Sequence, residues 1–132
     1  MNKRKYEMKT ERSSKMATEQ MQQLSDMRLA PFMQLATGLI GKARHAGGNM
    51  FRHQMDTLAI LIDYGYIDPV LLKASIVHDT VEDIPGFDRN LIINADEDGQ
   101  DVLDLVLEVT RREDEDKKQF LHRILDTGSQ KA

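Results

Sequence analysis

Apolar positions recur with helical spacing along most of the chain. Phe32, Leu35, Ala36, Leu39, Ile40 and Ala43 follow the i, i+3, i+4, i+7 pattern of a core-facing helix. Proline at Ala30-Pro31 marks its start, and Gly47-Gly48 is expected to stop it. A second helix fits residues 49–64. Its main apolar stripe is Phe51, Met55, Leu58 and Ile62, and Ile60 and Leu61 make the opposite side apolar too, so burial on both sides is expected. Asp68-Pro69 supplies an N-cap followed by proline at the first helical position. The third helix is predicted from there to about residue 83, with Val70, Ala74, Val77 and Val81 on one face and Ile84-Pro85-Gly86 as its stop.

Residues 87–93 read as a short helix or a loop, and the NADEDG run at 94–99 as a loop by composition. Helical spacing returns over 100–112 through Val102, Leu105, Val106 and Val109. Phe120, Leu121, Ile124 and Leu125 form a last helix closed by Thr127-Gly128. No stretch shows the alternation of a strand, and no segment repeats. The expected fold is all-α, with five or six helices. Residues 1–15 mix like charges with Ser and Met and predict a flexible arm, with helical character near 16–24. The division is then an arm over 1–25 and one domain over 26–132.

Composition narrows the function. The 132 residues, 40% hydrophobic and 30% charged, suit one core rather than two domains. Cysteine is absent, which excludes a disulfide framework, a cysteine zinc site and a thiol nucleophile and suits a reducing compartment. Apolar runs such as 58–62 are too short to cross a bilayer. The basic N-terminus lacks the apolar stretch of a signal peptide, so a cytoplasmic protein without membrane contact is expected.

The net charge of −4 is unevenly spread. Residues 1–52 carry ten Lys/Arg against four Asp/Glu, and residues 53–132 carry eight against eighteen. A long acidic half argues against a nucleic-acid partner, which calls for a basic face. It suits a domain that gathers carboxylates around cations, although solvated acidic helix faces account for most of these charges.

Four histidines are present. His122 lies in a charged stretch and reads as exposed. In the third helix, His78 and Glu82 are i, i+4 neighbours, with Asp79 and Asp83 in the next row. Four ionisable groups beside apolar turns are costly unless hydrogen-bonded, protonated or neutralised. A divalent cation is one solution, and an exposed acidic helix end is another. A short turn should pair the second and third helices antiparallel and bring His53 opposite His78. Two imidazoles and Asp79 would form a mixed N/O site that fits Mn, Fe or Zn better than Ca. Residues 42–48, with Lys42, Arg44, His45 and Gly47, combine positive charge with flexible backbone. They read either as cations at a helix C-terminus or as a loop that meets a phosphate or base.

These pieces in this order resemble a known family. Arg44-His45-Ala46-Gly47, His53, the block His78-Asp79-Thr80-Val81-Glu82-Asp83 and then Val109-Thr110-Arg111 look like the HD-type hydrolase domain of the RelA/SpoT homologues and small alarmone hydrolases. The likeness runs from about Pro31 to Leu125. It implies an HD-domain helical bundle that removes the 3′-pyrophosphate from ppGpp and pppGpp. By resemblance His53, His78 and Asp79 are metal ligands, with Mn²⁺ the usual ion. Glu82 and Asp83 match the acidic pair at the nucleophilic water, and Arg44 matches a purine contact. Lys42 and Gly47 fall in the same substrate-binding segment.

The sequence departs from the family pattern in several places. Gln54 stands where many relatives have proline, His45 where lysine is frequent, and Arg111 where lysine is common. The family's later metal ligand, in an A-D-R-x-x-N motif, has no counterpart in the 132 residues, so a fragment lacking the C-terminal helices is expected.

In the implied mechanism the metal activates a water, Glu82 shuttles the proton, and Arg44, Lys42 and Arg52 offset substrate charge. The alternatives are an HD phosphohydrolase acting on another nucleotide and a truncated, non-catalytic nucleotide-binding module. An oligomer is compatible with the sequence but cannot be derived from it.

Overall fold

The computed structural model describes residues 18–44, 46–110, 115–129 and 131, and among these the chain is all-α, without a strand. The expected arm at 1–15, His45 and Arg111 lie outside the described residues. Helix α1 covers 18–26, and its Leu24 packs onto the core together with Met27 just beyond it. Helix α2, Ala30–Ala36, carries proline in its first turn as expected and buries Phe32 and Ala36.

Helix α2 is shorter than the periodicity predicts. It tightens into a 3-10 turn, Thr37–Leu39, where the Thr37 hydroxyl donates to the Gln34 carbonyl at 2.5 Å. This side-chain bond competes with the backbone ladder in the last turn. Gly38 lies against Ile84, where a Cβ would come within 2.8 Å of Ile84 Cδ1. Ile40 and Ala43, expected in the core, are exposed instead. Gly47 and Gly48 do not cap the helix. With φ of 91° and 86° they turn a small loop closed by an isolated antiparallel bridge between Ala43 and Asn49. Left-handed backbone at both positions suits glycine alone.

Helix α3, Met50–Asp63, matches its prediction closely. Asn49 caps it by accepting the Phe51 N–H at 2.8 Å. The stripe faces the core through Leu58, while on the other side Leu61 is half-buried against the core and Ile60 is 56% exposed, so burial there is only partial. Helix α4, Pro69–Val77, starts at the Asp68 cap and buries every residue from Leu72 to Val77. It packs against α7, α3 and α2 and forms the centre of the molecule.

The long third helix of the prediction is broken after Val77. Helix α5, Thr80–Asp83, follows a turn at His78 and Asp79. Three side chains compete for carbonyls in the last turn of α4: Ser75 Oγ on Leu72 O at 2.6 Å, His78 Nδ1 on Ser75 O at 2.7 Å and Thr80 Oγ1 on Val77 O at 2.8 Å. The Asp83 N–H bonds the Asp79 carbonyl at 2.9 Å and closes the first turn of α5, while His78 and Asp79 keep helical-region backbone angles.

A short helix α6, Asn90–Ile93, settles the ambiguity at 87–93, and Ile92 is fully buried. Helix α7, Gly99–Glu108, buries Val102, Leu103, Leu105 and Val106 against α4. Helix α8, Lys117–Thr127, opens with a capping box between Asp116 and Gln119. Leu121 and Leu125 on α8 are exposed.

Candidate metal centre

The break between α4 and α5 places His78 at the end of one helix and Asp79 at the start of the next, beside His53 of α3. Asp79 Oδ2 lies 3.1 Å from His78 Nε2 and 3.6 Å from His53 Nε2. The two imidazoles meet edge to face, with centroids 5.5 Å apart and planes at 66°. One ligand atom from each of the three residues lies within 4.8 Å of the others, so the group can hold a metal ion. The side chains are 29%, 24% and 18% exposed for His53, His78 and Asp79. The expected convergence of two imidazoles and one aspartate is therefore present.

Hydrogen bonding shows why a cation suits this spot. A carbonyl only accepts, so His78 Nδ1 must donate its proton to Ser75 O. In the neutral ring, Nε2 then presents a lone pair straight at the Asp79 carboxylate. Two lone pairs 3.1 Å apart repel unless a proton or a metal ion lies between them. A backbone carbonyl on the far ring nitrogen is also the usual support of a metal-bound histidine.

The protonation tendencies agree with this geometry. Burial opposes charge on His78, but the Asp79 hydrogen bond and charge outweigh it, with help from the Ser75 carbonyl and Asp83, and the pKa is raised. Burial likewise opposes charge on Asp79, yet His78, Gln54 and His53 together lower its pKa. His53 goes the other way. Partial burial, the Arg44 guanidinium and His78 lower its pKa against the pull of Asp79. It stays a neutral, available donor.

The other expected residues fall around this centre. Asp83 shares an open cleft of about 360 Å³ with Lys42, Ala43, Arg44, Ala46 and Met50. Met50 stands one turn before His53 on α3 and Asp83 one turn after Asp79, so this cleft adjoins the metal group. Glu82 is exposed on α5 and is not among the three converging donors. Gly47 turns the basic loop but does not line the cleft. Arg52 points to solvent and pairs with Asp56 at 3.8 Å. His122 is exposed, as expected. On another side of His78, a smaller cleft of about 140 Å³ has mainly apolar walls, among them Leu61, Leu71, Ala74 and Val109.

The sequence marks Gln54 only as a departure from the family pattern and gives Lys73 no mark at all. Gln54, fully buried, donates from Nε2 to Asp79 Oδ2 at 2.6 Å and accepts the Asp79 N–H on Oε1 at 3.4 Å. Lys73, buried inside the apolar run of α4, holds Asp96 at 2.6 Å and Asp98 at 2.7 Å. Asp96, Glu97 and Asp98 also cluster closely enough for a metal, but the Lys73 ammonium already occupies two of them. A lysine between Leu72 and Ala74 gives no signal of burial, whereas the acidic loop 94–99 is visible from its composition.

No protein-family model matches the chain, and no curated protein matches it. The fold and the site define it as an all-α protein with a His-His-Asp group able to hold a metal ion. No described helix is long and apolar enough to cross a membrane.

Proposed function

We propose that the chain is an HD-type phosphohydrolase that removes the 3′-pyrophosphate from guanosine alarmones, with Mn²⁺ as its ion, in the cytoplasm. The observation that carries this reading is the convergence of His53, His78 and Asp79 beside a cleft lined by Lys42 and Arg44. A bound divalent ion supplies a water of lowered pKa and polarises a phosphoryl oxygen. His53, His78 and Asp79 hold that ion, and the Ser75 carbonyl fixes the His78 ring for it. Lys42 and Arg44 offset the charge of a diphosphate, Arg44 by bidentate contact or by stacking on the base. Asp83 on the cleft wall and Glu82 on the same short helix receive and pass on the proton.

The test is an assay of ppGpp with Mn²⁺, scored for pyrophosphate release, alongside metal analysis of the purified chain. Release by the wild type, with no release and no bound metal in His78→Ala and Asp79→Ala, supports the reading. Wild-type metal content in either variant would sink it. Orthophosphate release from a different nucleotide would keep the metal centre and move the substrate to another phosphohydrolase class. Tight ppGpp binding without turnover at excess Mn²⁺ would instead make the chain a nucleotide-binding module.

A further inference from the structure

We infer that Gln54 is a positioning residue whose buried side-chain amide orients Asp79 for the ion and so sets the affinity of the site. The inference rests on the metal-binding part of the reading above. Gln54 follows His53 on α3, so one turn of one helix supplies both a ligand and the group that steadies another ligand from 25 residues away. Its side chain has no contact with solvent, and both arms of its amide go to Asp79. The orientation is therefore fixed, because a flipped amide would set its oxygen against the carboxylate and its NH₂ against the Asp79 N–H.

The same oxygen, Asp79 Oδ2, receives the Gln54 bond and faces both imidazoles. Without Gln54, nothing on α3 but His53 at 3.6 Å would hold that carboxylate toward the donors, and this distance is too long for a hydrogen bond. The carboxylate would then gain rotamer freedom that ion binding must remove again. Loss of such supporting contacts typically weakens metal affinity about 10–100-fold.

Gln54→Met keeps the length and apolar stem of the side chain and removes both hydrogen bonds. Mn²⁺ binding measured calorimetrically should weaken about 10–100-fold in this variant, while its chelated form still melts cooperatively. An affinity within about twofold of wild type in a folded variant overturns the inference. Should the variant fail to fold, the wild type decides. Titration with diamagnetic Zn²⁺ should shift the Gln54 side-chain amide resonances in step with saturation, and unmoved resonances at saturation overturn the inference. If the wild type binds neither ion, the metal-binding reading itself fails. Binding by the wild type with no change in the variant refutes only the role of Gln54.

Discussion

At Asp79 a carboxylate, an imidazole and a buried amide share one oxygen, and this arrangement has a calculable pH signature. Folding raises the His78 pKa above the ordinary 6.5. Its contribution to the metal-free fold is therefore complete below that value and is lost as pH climbs through the folded pKa. Asp79, lowered from 3.8, contributes above that value and loses its effect as pH falls through its folded pKa. A metal ion needs neutral imidazole, so Mn²⁺ affinity should rise over the interval in which the His78–Asp79 pair weakens. As pH climbs from about 6.5 through the raised His78 pKa, the melting temperature of the chelated protein should fall, while the increase produced by Mn²⁺ should grow. Asp79→Asn should flatten the first trend and abolish the second. Identical pH profiles in wild type and variant would refute the pairing. The His-Asp motif was legible because its residues are neighbours in sequence and chemically distinctive. Gln54 was not, because its role exists only once α3 and the α4–α5 break come together across 25 positions.

Helix starts were read well, whereas the ends of α2 and α4 were missed, for a physical reason. Starts at Pro31, Asn49 and Asp68 are marked by residues whose side chain or ring acts locally. The ends of α2 and α4 depend on Thr37, Ser75, His78 and Thr80 bonding backward to carbonyls, and periodicity does not register that choice. Asn49 joins two elements. Its carbonyl oxygen caps α3, and its amide donates to the Ile40 carbonyl at the start of the basic loop. Asn49→Ala should cost about 1–2 kcal/mol of stability, an N-cap plus one hydrogen bond, in urea unfolding. It should also free the loop bearing Lys42 and Arg44, raising KM for an anionic substrate more than it lowers kcat. A variant with unchanged stability and unchanged KM would show that the loop is held by its bridge and glycine turns alone.

Across the whole molecule, two of the places where cations and carboxylates come together bear on the candidate site and on the core. Lys42 and Arg44 from the basic half line the same cleft as Asp83. The other is Lys73, 3% exposed at the centre of the fold. Its ammonium lies 5.6 Å from the centroid of the Phe32 ring and between Asp96 and Asp98, tying α4 to the turn that launches α7. Bonds to both carboxylates overcome the burial that disfavours its charge and raise its pKa, so this contribution is present at neutral pH and is lost only in strong alkali. Asp96 is buried and Asp98 partly exposed, so water can relieve one carboxylate but not both. Lys73→Met preserves volume and leaves the aspartates without their cation, at a cost of about 3 kcal/mol, the low end for a broken buried pair. Adding Asp96→Asn and Asp98→Asn removes the stranded charges, so the triple variant should recover most of that loss, because the ion pair's own desolvation cost disappears with it. Urea unfolding of wild type, single and triple variants measures both steps. A triple variant as unstable as the single one would mean that the lysine stem, packed beneath Phe32, holds the helix and the turn together rather than its charge.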